Sequence, residues 1–415
     1  ILYLLLLAIA IGLIAGIYPA IVLSSFKPIS VLKGSFSTGT KGILLRKSLV
    51  VVQFTISIIL IIGTIVIYNQ MRFMQNQELG FDKEQTLVIP TEPGTSQIAL
   101  KTSIAKVPGV KGTALASSVP GAGNSAAYSE IENQQGDLQV ANLDLYFVNE
   151  DYIEQLGIEV VAGRGFSRDF ASDSSKAMII NEKAVSLLGY ANAQDAIGAN
   201  YDQWGSNGEV IGVVKDFNFR SLQDEISPLT MRLNPEQTDI ITVKIEANST
   251  AETIAAIENT WRSMIPGDPF EYYFLDELFN NQYEAEERFE DLFLIFALLA
   301  IFISCLGLLG LAAYSTIQRK REIGIRKIIG ASVSSIINLL SKDFIKLVAI
   351  AFVISTPIAW YLMQNWLEDF AYKIDIKWWM FIAAGLGSMV IALATVSFQA
   401  LKAATSNPVK SLRTE

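Results

Sequence analysis

Five stretches of this chain carry no charged side chain over a length that can cross a bilayer: Ile1–Phe26, Ser48–Met71, Leu292–Gln318, Leu347–Leu367 and Trp378–Leu401. About 30 Å of hydrocarbon at 1.5 Å per residue requires about 20 helical residues. No water is present there to satisfy a backbone amide, so each run is expected to pair its own backbone groups as a helix. A single run of this kind could be a buried core helix; five of them describe a membrane protein. A chain that is 51% hydrophobic and only 18% charged agrees.

Charge orients the spans. Residues 27–47 hold Lys27, Lys33, Lys41, Arg46 and Lys47 and no acid, and residues 319–346 hold seven bases against Glu322 and Asp343. The tail from 402 to 415 adds Lys402, Lys410 and Arg413. Even numbers of spans separate these segments, so all three can lie in the cytoplasm, as the positive-inside rule demands. Between Gln70 and Arg288 there are 15 bases against 33 acids, a net −18 within a total of −9. This acidic stretch, and the short loop 368–377, then face outward. An acidic domain offers no basic face to nucleic acid, so none is expected as a partner. Histidine is absent and Cys305 is the single cysteine, which excludes histidine triads, histidine metal sites and intrachain disulfides. Neither a P-loop nor a catalytic constellation is present, so the chain is read as no enzyme, with no metal and no cofactor of its own.

An internal likeness accounts for the first span. Ala20–Lys33 (AIVLSSFKPISVLK) and Ala400–Arg413 (ALKAATSNPVKSLR) share Ala20 with Ala400, Pro28 with Pro408 and Leu32 with Leu412 at one constant offset. Each follows a span and enters the cytoplasm. Residues 1–26 are therefore read as the last helix of a preceding repeat, 27–47 as a cytoplasmic linker, and Ser48 onward as a second copy.

The fold class expected is an α-helical transmembrane bundle of five helices plus one extracytoplasmic α+β domain. Helix 48–71 with its stalk precedes the outward domain 72–288, and 289–318 is stalk and span; polar, helix-favouring residues flank both spans as a stalk pair. Spans at 347–367 and 378–401 follow. Two βαβ-type halves are legible: TLVIP, a helix near Ile98–Lys106 and VKGTALASS; then ITVKI, a helix and FEYYFLDE. The second helix opens at Ser249 with Glu252 three residues on, a capping-box pattern, and places Ile254, Ile257 and Trp261 at helical spacing. A β-rich subdomain is expected as an insertion near Leu145–Pro228, with strands at KAMIIN and GEVIGVV and a short helix at Asn181–Gly189.

The segment 319–346 reads as a short amphipathic helix at the inner surface, with Ile323, Ile328, Ile329, Ile336, Leu339 and Leu340 on its apolar face and Gly330 as a break. Glu322 stands four residues before Arg326, the spacing of an ion pair on one helix face. Basic flanks beside a span are routine, but this order exceeds what topology requires. REIGIRKIIGAS here resembles the cytoplasmic motif of FtsX-like permeases, the membrane subunits of MacB-type ABC transporters, and NPVKSLR resembles their C-terminus. ELGFDKE, VNEDYIEQLGIEVVAGRGF, AMIINEKAVSLLGY and GVVKDFNFRSLQDEISPL resemble the MacB-like periplasmic core domain. The two-copy form is most similar to permeases of the Bacteroidetes type.

The resemblance implies a multi-pass protein of the bacterial inner membrane with its large domain in the periplasm. A separate cytoplasmic ABC ATPase subunit would use the ATP and dock on Arg321, Glu322, Ile323, Gly324, Ile325, Arg326, Lys327, Gly330 and Ala331. Partners implied are that ATPase, membrane lipid, the N-terminal repeat or a second permease copy, and a periplasmic adaptor with an outer-membrane channel. The function implied is mechanotransmission for export or extraction of a substrate. The alternatives are a signalling subunit that regulates wall hydrolases or senses antimicrobial peptides, and a receptor without an ATPase. The uncharged spans, with small-residue faces at Gly12 and Gly16 and at Ala384 and Ser388, suit motion better than ion conduction.

Overall fold

The computed structural model describes residues 40–91 and 96–405, together with Tyr3, Leu5 and Leu6. The expected first span, most of the linker 27–47 and the NPVKSLR tail lie outside the described residues. Among the described residues four helices are long and apolar enough to cross a membrane.

In chain order the elements are α1 Thr40–Gln75, β1 Thr86–Pro90, α2 Gln97–Ile104, β2 Val110–Ala116, β3 Ser125–Glu132, β4 Leu138–Val148, α3 Tyr152–Gln155, β5 Val160–Gly163, α4 Asp173–Lys176, β6 Ala177–Asn181 and α5 Glu182–Leu187. Then come β7 Asn200–Gln203, β8 Ser206–Val214, β9 Leu229–Leu233, β10 Ile240–Ile245, α6 Thr250–Met264, β11 Tyr273–Phe274 and α7 Leu275–Asn280. The chain closes with α8 Glu284–Gln318, α9 Lys320–Ile328, α10 Val333–Leu367 and α11 Trp378–Thr405. It divides into two compact units: one holds the described residues up to Ile59, Leu298–Thr356 and Ala383 onward, the other Leu60–Ala297 and Pro357–Ile382.

In the second unit, β1, β10, β2 and β11 form an antiparallel layer in the order β11–β1–β10–β2. Each of the segments β1–α2–β2 and β10–α6–β11 leaves one strand's space between its own two strands. They interleave, which is the split βαβ arrangement. One face is covered by α2 and α6 through Leu100, Ile104, Ile257 and Trp261. The other carries Val88, Ala114 and Ala116 into a cluster with Tyr146, Val148, Phe217 and Met231.

The insertion is wider than the sequence suggests. Strands β4, β3, β7, β8, β6 and β9 pair in that order, and β9 returns to β4, so six strands close a small barrel. It begins at Ser125 and ends at Leu233, not near Leu145 and Pro228. Closure depends on parallel pairs β6–β8 and β4–β9 between residues far apart in sequence. Closing leaves no exposed edge in the ring.

Local signals fare unevenly. Asn181 caps α5, its Oδ1 accepting from Ala184 N at 3.1 Å, and Gly189 follows at φ +79. The capping box at Ser249 is not made: α6 starts there, but the Ser249 side chain makes no cap bond. A short 3₁₀ turn over Ala247–Ser249 leads into the helix, leaving Ser249 at ψ 26 rather than in the extended conformation a cap needs. Trp204 and Gly205 form the two-residue turn between β7 and β8, both at positive φ, +55 and +77. Gly205 bears that conformation freely, whereas a side chain there costs about 1–2 kcal/mol.

The link between β5 and β6 is held by one ion pair. Arg164 donates to both carboxylate oxygens of Asp173 at 2.6 and 2.8 Å and stacks on Phe170, and Asp173 accepts from Ser167 N at 3.1 Å. Burial pushes the Asp173 carboxyl up, but the Arg164 and Ser167 bonds outweigh it and hold it below the ordinary carboxylate value. A lowered folded pKa stabilises above the unfolded pKa, and the contribution is lost as pH falls through the folded value. Asp173→Asn should therefore destabilise the outward domain by about 1–3 kcal/mol near neutral pH, Arg164 being partly solvated, and by much less in strong acid. Denaturant titrations at both pH values would reveal the difference; an equal loss at both would exclude the ion pair as its cause.

Candidate functional site

The segment singled out by sequence is two elements, not one surface helix. Helix α9 covers Lys320–Ile328, and from Val333 the chain is already in α10, the 35-residue helix that includes the third described span. The turn between them is a helix stop and a helix start in four residues, 329–332. Gly330 sits at φ +96, and Ala331 N donates to Arg326 O at 2.9 Å, the 6→1 bond of a Schellman cap. Ser332 then caps α10, its Oγ accepting from Ser335 N at 3.3 Å.

The expected apolar face is divided. Ile323 is buried against Ile336, Leu340 and Ala400. At 100° per residue, Ile325, Ile328 and Ile329 fall on the opposite side of α9 from Ile323. They are 52%, 63% and 80% exposed. Glu322 and Arg326 form the expected pair at 2.8 Å, and Arg319 pairs with Asp343 of α10 at 2.8 Å. The backbones of Gly324 and Ala331 lie in and just after the helix, while the side chains of Arg321 and Lys327 are outside the described residues. The structure thus gathers Glu322, Ile325, Arg326, Ile328 and Gly330 on or beside one short helix, and turns Ile323 inward.

Within the same unit the helices approach closely at polar points. Ser57 and Ser304 are hydrogen-bonded at 3.0 Å, and a Cβ on Gly307 would come within 2.4 Å of Gln53 Oε1. A Cβ on Gly385 would meet the Phe352 ring at 2.7 Å. Ser388 donates to Ala384 O at 2.8 Å, and both residues are buried. Glycine and serine permit this packing, which apolar bulk would prevent.

A junction in the second unit escaped the sequence reading. Gln70, fully buried near the end of α1, donates to Tyr372 O at 2.8 Å and accepts from Ile374 N at 2.9 Å. One amide thus clamps the backbone of the loop 368–377. Ala371 N donates to Gln223 O at 2.9 Å, and Leu222 N donates to Tyr283 Oη at 2.9 Å. Around these bonds pack Met71, Met74, Phe279, Trp366 and Phe370. Burial, then the Asp216 and Glu225 carboxylates, push the Tyr372 phenol up, so it stays neutral near neutral pH. The available signal was a glutamine retained at the end of an uncharged run, a residue type that is costly to bury unpaired.

The described fold is that of an integral membrane protein with an extracytoplasmic α+β domain. Residues 294–408 match the family model of the FtsX-like permease C-terminal domain. The macrolide export ATP-binding/permease protein MacB of Neisseria gonorrhoeae is 25% identical over 316 residues, covering 69% of this chain and 46% of that protein. MacB of Escherichia coli is 24% identical over 279 residues, covering 65% and 43%. The chain spans less than half the length of these curated relatives. The crystal structure of the periplasmic region of MacB from Actinobacillus actinomycetemcomitans aligns at a TM-score of 0.37 with 16% identity, over 49% of this chain and 95% of that one. Residues 294–408 are therefore similar to the FtsX-like permease C-terminal domain, and the chain is similar to MacB over part of that protein's length.

Gln70→Ala should free the 368–377 loop: two half-buried backbone groups lose their partner, at about 1–3 kcal/mol. Amide exchange of the peptide containing Ile374 should accelerate while that of β1 and β10 stays as in the wild type. Unchanged exchange at Ile374 would show that the clamp is dispensable.

Proposed function

We propose that this chain is the membrane subunit of an ABC transporter of the bacterial inner membrane, coupling a separate cytoplasmic ATPase to movement of its outward domain for export or extraction of a substrate. ATP is used by the partner, which docks on α9 and the turn that follows: Arg321, Glu322, Ile325, Arg326, Lys327, Gly330 and Ala331. Ile323 and Gly324 support the helix from its inner side. Lipid surrounds the spans, and a second permease copy or a preceding repeat completes the assembly, with an adaptor and outer-membrane channel beyond it.

The observation that carries this reading is the exposed isoleucine face of α9. Ile325 and Ile328 on the nine-residue helix and Ile329 just after it are exposed and bear no packing duty there, while Ile323 anchors the helix inward. Contiguous exposed apolar surface marks an interaction site. The base-rich flank places this face on the cytoplasmic side. The Glu322–Arg326 pair, half exposed, is worth only a few tenths of a kcal/mol to the helix and is free to serve recognition instead.

The double variant Ile328→Asp/Ile329→Asp leaves the Ile323 anchor and the Gly330 cap untouched. It is expected to weaken retention of the ATPase subunit recovered with the wild-type chain by about tenfold or more, because a docked carboxylate would be desolvated without a partner. Hydrolysis stimulated by the permease should fall with it. Undiminished co-purification and hydrolysis would remove α9 from the coupling path.

A further inference from the structure

A large cleft of the outward domain lies where the split βαβ layer and the barrel are joined, a join the chain crosses twice, at 117–124 and 234–239. Its volume is about 1060 Å³, and its walls are Ile98 from α2, Leu145 and Phe147 from β4, the β7–β8 turn, and the 235–239 crossing. Among the described residues lining it there is no lysine or arginine, while Glu236 and Asp239 contribute two carboxylates. Among the described residues neither of these acids forms a salt bridge, unlike Asp82, Asp144, Asp151 and Asp173 of the same domain. The backbone around Asp239 is fixed on both sides: its carbonyl accepts from Thr91 N at 2.7 Å and its amide donates to Ala116 O at 3.3 Å.

The lip of the cleft is Trp204. Two-residue turns with both residues at positive φ favour Asn-Gly, because those residues tolerate the left-handed region. Here an indole occupies the first position at φ +55, and it remains 58% exposed. The turn is held without it, by Gly205 N donating to Asp202 Oδ1 at 2.9 Å. Folding therefore does not account for a bulky aromatic at this point. Strained residues with no packing role concentrate where ligands bind. An exposed indole and two carboxylates with no described ion pair, in a cleft also lined by Ile98, Leu145 and Phe147, are the chemistry that recognises an organic cation.

We propose that this cleft is a binding site for an amphipathic organic cation, with Trp204 stacking on the cationic centre, Glu236 and Asp239 compensating its charge, and Leu145, Phe147 and Ile98 contacting its apolar body. The site shares no residue with α9 and stands independently of the coupling proposal.

Tetraphenylphosphonium and tetraphenylborate, alike in size and shape and opposite in charge, are the probes. Titrated calorimetrically into the full chain in nanodiscs, with empty nanodiscs subtracted, the cation should bind more tightly than the anion by about tenfold or more. Trp204→Ala should weaken the cation about tenfold and Trp204→Phe by less, the ring face being retained. Glu236→Gln/Asp239→Asn should erase the preference between the two ions. Trp204→Gly, which relieves the strained turn, should keep the thermal transition of the domain at least as high as the wild type while losing the cation as Trp204→Ala does. The Ile328→Asp/Ile329→Asp chain should retain full affinity, so failure of the coupling proposal is distinguishable from failure here. Equal binding of both ions to the wild type, no binding of the cation, or cation affinity unmoved by the Trp204 and carboxylate variants would each overturn the assignment.

Discussion

The exclusion of water from the bilayer interior governs the rest of this protein. Each spanning segment must close its own hydrogen bonds, and among the described residues the result is four long helices of 28 to 36 residues. Among the described spans, α10 carries an internal proline, Pro357. Proline removes from the ladder the donor that would serve Val353 O, and the Ser355 and Thr356 hydroxyls donate one carbonyl earlier, to Phe352 O, at 3.0 and 2.8 Å. Because the helices are self-sufficient in hydrogen bonding, polar side chains between them are free for other uses. Ser57 with Ser304 and Gln70 with the 372–374 backbone are such uses: short polar contacts whose geometry fixes one helix or loop against another.

What the sequence disclosed follows the range of the interactions involved. Apolar length marked the four described spans, charge asymmetry marked the acidic domain as the extracytoplasmic one, and the glycine at 189 marked the end of a short helix. The barrel was hidden because its closure is non-local. Strand β4 pairs with β3 over a short hairpin but also with β9, more than eighty residues away, and its first half alternates at the surface with no continuous apolar run. Parallel pairing leaves no hairpin signal in the sequence, so an alternating stretch before Leu145 reads as a connection. The stalk junction was hidden for a related reason, since nothing near Gln70 in sequence announces that its partners stand some 300 residues on.

The segment 319–346 shows the opposite failure, in which a local pattern was legible and its assignment too simple. Hydrophobic spacing across 323–340 satisfies one amphipathic helix until the glycine is given its conformation. Gly330 at φ +96 ends one helix, Ser332 starts another, and residues that would have shared one face are separated. Ile336 and Leu340 pass into α10, and of α9's isoleucines only Ile323 goes with them into the buried cluster.

This division bears on how such a helix can act. A nine-residue helix is marginal alone in water, because nucleation fixes several residues for few hydrogen bonds. Here its conformation is settled before any partner arrives, by the Schellman bond from Ala331 N to Arg326 O, by the Arg319–Asp343 pair and by Ile323 beneath. A partner meeting Ile325, Ile328 and Ile329 would then engage a face already ordered, with little conformational entropy left to lose on docking. The same anchors tie α9 to α10, so a displacement applied to the exposed face is opposed by an ion pair and a buried side chain rather than absorbed by a slack loop. A loosely held helix could bind as well. It could not transmit.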